Sequence, residues 1–121
     1  MLQTSEVNNM KYPKLVPQWV CSTKIKLEIE TEGITEDGAP ADIITIEAMG
    51  NFQDGGEVLW TTDQKQIKIS GKAYFDGDIV PGISNITGGY GYIYGHKREI
   101  YRGFKRRNPD GSVNHIEIQF K

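Results

Sequence analysis

The stretch Asn108-Pro109-Asp110-Gly111 constrains this chain more tightly than any other part of it. Proline pre-sets φ at the second position of a type I turn, Asp110 suits the third, and Gly111 can take the left-handed conformation of a G1 bulge. The turn pairs Asn108 with Ser112. Counting outward sets Phe104 opposite Ile116, Arg102 opposite Ile118 and Ile100 opposite Phe120, so one face of a terminal hairpin collects its large apolar side chains. A slip of one residue would scatter them over both faces. Arg102 then falls in the middle of the apolar face. Its stem either snorkels over the rim of the core, the reading favoured by the length of the side chain, or its guanidinium pairs with a carboxylate from elsewhere.

Other segments read the same way. In "STKIKLEIETE", Ile25, Leu27 and Ile29 alternate with Lys24, Lys26, Glu28 and Glu30, the period of a half-buried strand. "DIITIEAMGNFQ" predicts a second strand bent or bulged near Gly50, with Gly55-Gly56 breaking the chain before a short strand "EVLWTT". "KQIKISGKAYF" turns Ile67, Ile69, Ala73 and Phe75 inward, and Gly71 signals a bulge or a close approach. "YGYIYGHK" begins a strand leading toward the terminal hairpin. No stretch sustains a helical period over ten residues. Many short strands between Gly, Pro and Asp signals predict an all-β fold, a small antiparallel barrel or sandwich with long loops. Residues 1–20 carry Pro13 and Pro17 without a sustained period and read as an extended arm, with 21–121 as the barrel domain. Leu15, Val16, Trp19 and Val20 suit that arm to pack across its own barrel or on a neighbour.

Chemistry is sparse in this pattern. His96, His115 and the lone Cys21 lack zinc-ligand spacing, no nucleophile-elbow motif occurs, and "GGYGYIYG" has no following helix to hold a pyrophosphate. The expectation is a non-enzyme without cofactor or metal. The N-terminus lacks a signal-peptide pattern and no apolar run suits a membrane span, so synthesis in the cytosol without membrane contact is expected. Charge is more informative. Leu27 to Gln64 holds ten acidic residues and no Lys or Arg, whereas Lys97 to Lys121 holds seven basic residues against three acidic ones. On separate surfaces these halves would favour head-to-tail contacts between copies; side by side in one sheet they would neutralise each other. Tyr90, Tyr92 and Tyr94, alternating beside Lys97, Arg98, Arg102, Lys105, Arg106 and Arg107, also fit a small barrel that stacks single-stranded nucleic acid.

"EGITEDGAPAD" at 32–42, "ISGKAYFDGDIVPG" at 69–82 and "RRNPDGSVNHIEI" at 106–118 together resemble a family of small proteins of tailed bacteriophages and prophages of Gram-positive bacteria. The family comprises minor capsid or head-tail connector proteins similar to head-closure (stopper) proteins. The resemblance runs in order from about Pro13 to the C-terminus. Relatives would carry Thr in place of Ser112 and Tyr in place of His115. It implies a β-barrel that assembles as a ring of six or twelve copies in the virion neck, is made in the host cytoplasm, and closes the duplex-DNA channel after packaging. Its implied partners are a portal or adaptor ring on one side and a tail terminator or tail tube on the other. A tail-terminator or adaptor ring is the alternative within the same setting. On this implication the loops at 33–42 and 77–88 narrow the channel, with Glu36, Asp37, Asp42, Asp76 and Asp78 as acidic lining that keeps DNA sliding. Trp19, Lys97, Lys105, Arg106 and Arg107 are then the candidates for contacts between subunits.

Overall fold

Alternation of Ile25, Leu27 and Ile29 with charged neighbours produces a first strand at Thr23–Glu30 (β1), with all three apolar side chains fully buried. The computed structural model describes residues 11–30, 42–83 and 86–121. Five more strands follow: Ile43–Trp60 (β2), Gln66–Asp76 (β3), Gly89–Ile93 (β4), His96–Arg107 (β5) and Val113–Phe120 (β6). All neighbours are antiparallel, and the sheet closes in the order β1-β2-β3-β6-β5-β4 with β4 back on β1. The all-β expectation holds.

Two strands are shared between the two sides of the ring. The first half of β2 pairs with β1 from Thr23↔Gly50 to Glu30↔Ile43, and its second half pairs with β3 from Asn51↔Tyr74 onward. Likewise, β5 pairs with β4 up to Glu99 and with β6 from Ile100 onward. Strands that change partner by bending are how a small sheet turns its corners. The bulge expected near Gly50 lies four residues later, between Asp54 and Glu57. At Gly50 the strand only exchanges partners, and Gly55-Gly56 is absorbed by the bulge, so "EVLWTT" is no separate strand but the end of β2.

Inside the ring, Ile25, Leu27, Ile29, Ala73, Phe75, Ile93, Ile100, Ile116, Ile118 and Phe120 form one cluster with Val80 and Ile86. Val80 and Ile86 come from the segment after β3 rather than from the strands. They are 2% exposed, and Gly103 N–H donates to the Ile86 carbonyl at 2.9 Å. The glycines of the strands make room for rings. A Cβ on Gly91 would lie 2.6 Å from the Phe120 ring, and one on Gly71 would lie 2.8 Å from the Phe52 ring. The Gly71 signal is therefore a close approach, not a bulge.

The terminal turn forms as expected. Asn108 N–H donates to the Ser112 carbonyl at 2.8 Å, and Gly111 has φ +89°. Beyond it the expected register fails by one residue. A bulge between Arg106 and Arg107 sets Lys105 opposite Ile116, Phe104 opposite Glu117 and Gly103 opposite Ile118, and a second bulge between Ile100 and Arg102 restores Ile100↔Phe120. The two bulges cancel, so the end of the predicted ladder is right while its middle is shifted. Arg102 is half-buried, donates from Nε to Gln119 Oε1 at 2.8 Å and lies over the Phe104 ring at 4.8 Å. Its polar partner is an amide, not the carboxylate of the sharper expectation.

Candidate assembly surface

Several of the hairpin charges expected to meet a partner find one within the chain. Arg98 pairs with Asp54 at 3.0 Å and lies over the Phe52 ring at 4.8 Å. Arg106 faces Glu117 at 3.7 Å and stacks on Phe104 at 4.5 Å. Arg107 donates to the Gly111 carbonyl at 2.8 Å, and Lys97 sits over the Tyr90 ring at 4.1 Å. Lys105 departs furthest from expectation. Its side chain is 5% exposed, with Nζ 3.0 Å from the Asp78 carboxylate and 2.8 Å from the Val80 carbonyl. Lys105 is therefore an internal clamp that ties the segment after β3 to the barrel. Acidic and basic halves of the sequence meet in the folded chain through Arg98 with Asp54, and Lys72, which lies between the halves, pairs with Glu57 at 2.8 Å. Exposed pairs of this kind contribute little stability, but they neutralise the charge that a partner would otherwise see.

Replacing Lys105 by methionine keeps the stem and removes the clamp. A loss of about 2 kcal/mol is expected, the scale of a charged hydrogen bond lost from a buried donor. Chemical denaturation of the variant beside the unmodified chain measures it.

Of the expected channel residues, Glu36 and Asp37 lie outside the described residues. Asp42 is exposed at the start of β2 and accepts from Ile43 N–H at 2.9 Å. Asp76 pairs with Lys14 at 3.2 Å, and Asp78 is held by Lys105 and by Val80 N–H. The described part of the 77–88 segment folds over the end of the core through Val80 and Ile86 rather than standing free of it.

The tyrosine stripe is also rearranged. Tyr90 and Tyr92 point outward from β4, opposite Glu28 and Lys26 of β1 and Glu99 and Lys97 of β5. Tyr94 is not in the strand. With Gly95 it forms a two-residue turn in which both φ angles are positive, +52° and +77°, the geometry that a tight hairpin favours. Donating its hydroxyl to the Glu28 carboxylate raises Tyr92 above the ordinary tyrosine value. Lysines cover the outward rings and glutamates alternate with them, so the face is close to neutral.

Residues 11–22 run along the outside of the barrel. Val16 and Cys21 are buried against it, and a short 3-10 turn at Gln18–Val20 precedes β1. The asparagines of the terminal hairpin hold the arm. Asn108 Oδ1 accepts from Tyr12 N–H at 3.0 Å, Asn114 Oδ1 accepts from Leu15 N–H at 3.2 Å, and Asn114 Nδ2 donates to the Pro13 carbonyl at 3.0 Å. Asn114 Nδ2 also lies 3.0 Å from Asn108 Oδ1, and Asn51 Nδ2 donates to the Val20 carbonyl at 2.9 Å. Asn114 was not singled out in the sequence. The available signal was a polar residue at a position that alternation assigns to a covered face.

His115 lies next to this latch, with Nδ1 3.1 Å from Asn114 Oδ1. Burial holds its imidazole below the ordinary histidine value; Glu117 pushes the other way and Arg106 reinforces the depression. As pH falls, the unfolded chain therefore takes up this proton before the folded chain does. The contribution is fully present above about pH 6.5 and is lost progressively below it. The expected result is a lower Tm at pH 5.5 than at pH 7.5, with the gap reduced in a His115→Gln variant, read by thermal denaturation at both values.

Tying down the arm leaves its other side open. Trp19 is 83% exposed and Leu15 61%, and at the far end of β2 Trp60 is 67% and Val58 52% exposed. Between arm and barrel runs a cleft of about 240 Å³ lined by Leu15, Val16, Val20, Asn51, Gln53 and Tyr74. Among the described residues no group of three or more His, Cys, Asp or Glu side chains is placed to hold a metal ion, and no helix is long and apolar enough to cross a membrane. No protein-family model matches this chain, and no curated protein matches it.

Proposed function

We propose that this chain is a structural ring component of a tailed-bacteriophage neck, a stopper-like head-to-tail connector that closes the DNA channel and presents a docking surface for the tail. One observation carries the reading. Among the described residues nine large side chains are under 2% exposed, yet Trp19, Leu15, Trp60 and Val58 remain largely in water. A small domain that has satisfied its own core and still displays large apolar side chains has the surface of an assembly protein. The ordered resemblance of 13–121 to connector proteins supplies the particular assembly.

The fold changes which surface supports this proposal. Electrostatic ends were one expectation for how copies join, but Arg98, Lys105 and Arg106 of the basic hairpin pair with acids of their own chain. Apolar contacts replace charge as the source of association. The same neutralisation weighs against the rival, a single-strand-binding barrel, because phosphate affinity rises with the number of uncompensated cations.

Imaging the purified chain with the portal ring tests the proposal. A closed ring of this protein stacked on the portal is expected. Salt-sensitive binding of single-stranded oligonucleotides at micromolar protein, with no association with the portal, would overturn it in favour of the rival.

A further inference from the structure

β2 and β3 continue beyond the barrel. β1 pairs with β2 only as far as Gly50, and β6 pairs with β3 only as far back as Gly71. From Glu57↔Ile69 to Trp60↔Gln66 the two strands pair only with each other, so the segment from about Asp54 to Ser70 forms a two-stranded ribbon. Directly opposed residues share a face. Val58 and Trp60 therefore lie on one face with Lys68 and Gln66, while Leu59 and Ile67 lie on the other. Such a ribbon is marginal in water by itself; its inner face is covered by the chain, with Ile69 fully buried at its base and Leu59 and Ile67 half-buried, while Val58 and Trp60 on the outer face are exposed.

We infer that the ribbon is the element that joins one copy to the next, its Trp60 end seating in the cleft between arm and barrel of a second copy. The inference rests on the ring reading and specifies its interface. Knob and cleft lie apart on the same element, since Gln53 in the cleft wall and Trp60 are seven positions apart in β2. That is roughly 20 Å along a strand, so no copy fills its own cleft. A knob and a cleft at different places on one surface make a head-to-tail contact, which closes into a ring when the rotation allows.

The cleft suits an indole. Leu15, Val16 and Val20 supply apolar wall, Tyr74 adds a ring, and the amide of Gln53 adds an acceptor of the kind a buried indole N–H requires. Edge-on strand addition is disfavoured, because the bulge between Asp54 and Glu57 interrupts one edge and Lys65 and Lys68 flank the other. Docking by the outer face remains. That face of the ribbon offers on the order of 200 Å² from strand length and spacing. This is about a quarter of the roughly 800 Å² per partner in a standard stable pair. Two copies then hold each other weakly, and persistence comes with closure, where every copy both gives and receives a ribbon.

The experiment pairs two measurements on the full chain. The first is sedimentation of the unmodified protein at up to about millimolar concentration, alone and on the portal ring, beside Trp60→Ser, whose exposed position leaves the fold and Tm unchanged. The second is disulfide trapping in a Cys21→Ser background carrying Gln53→Cys and Thr62→Cys. Expected are rings that trap as a ladder of covalent multimers, and a ring population reduced at least about tenfold in Trp60→Ser, the loss for a buried Trp anchor. Rings that form without trapping, or that survive Trp60→Ser, would overturn the ribbon contact and leave the ring reading standing. An unmodified chain that forms no ring under either condition would overturn the ring reading, and the ribbon inference with it.

Discussion

Replacing Gly89 by alanine is expected to cost more than about 3 kcal/mol, the upper range of backbone strain combined with a steric conflict. Gly89 has φ +127°, and a Cβ there would lie 2.0 Å from the Glu28 carbonyl oxygen and 3.1 Å from Ile29 Cα. Both neighbours are backbone of β1, so no side chain can swing aside. Gly89 is also the residue through which β4 meets Ile29, at the seam where the ring of strands closes. Relief of the clash means parting β1 from β4 at that end. Thermal denaturation is expected to show Tm lowered by roughly 10 °C or more. A Gly95→Ala control, also at positive φ but with nothing within 4 Å of its Cβ, is expected to lose less. Equal losses at the two positions would show that strain alone, without the seam, sets the cost.

Phe120→Ala is expected to be comparably severe, about 3–5 kcal/mol for truncating a fully buried aromatic ring. Phe120 ends β6, pairs with both Gly71 of β3 and Ile100 of β5, and its ring lies over Gly91 and edge-on to Phe52 at 6.2 Å. Phe52 in turn covers Gly71. One side chain next to the C-terminus therefore bridges both halves of the barrel, and its loss opens a cavity bounded by glycines that cannot fill it. The cycle with Gly91→Ala is informative, because a Cβ at Gly91 conflicts with the Phe120 ring only while the ring is there. The double variant is expected to be more stable than the sum of the two single losses. Strict additivity, measured by denaturant unfolding, would contradict the packing described.

Period and turn chemistry made much of this barrel legible in the sequence. Ile25, Leu27 and Ile29 alternate without exception and are all buried, and Asn108 to Gly111 closes its hairpin as its residue types require. Register within that hairpin was not legible. A bulge leaves no mark in the alternation when a second one restores the phase six residues earlier, as the pair at Arg106/Arg107 and Ile100/Arg102 does. Gly55-Gly56 misled for a related reason: glycines that usually end a strand here sit in a bulge, and the ribbon continues through them.

Charge was the least transferable expectation. Sequence separation between the acidic stretch and the basic terminus left open whether they take two surfaces or neutralise each other in one sheet, and closure of the sheet sets β2, β3 and β5 within reach of one another. Arg98 then meets Asp54, forty-four positions away in the chain. The basic run Lys105-Arg106-Arg107 looks solvated in one dimension, yet Lys105 lies under the segment carrying Val80. Conversely, the exposed Trp19 and Trp60 had no periodic pattern to announce them. Only the placement of the arm across the barrel and of the ribbon beyond it leaves these indoles in water.

Surplus apolar surface on a self-sufficient barrel is the basis for treating this chain as an assembly module. The most direct measurement is the mass of the species formed by the unmodified chain as its concentration is raised, alone and on the portal ring. A closed species of six or twelve copies is expected, without intermediate sizes that persist. A chain that stays monomeric throughout, with Trp19 and Trp60 emission unchanged from the dilute solution, would contradict it.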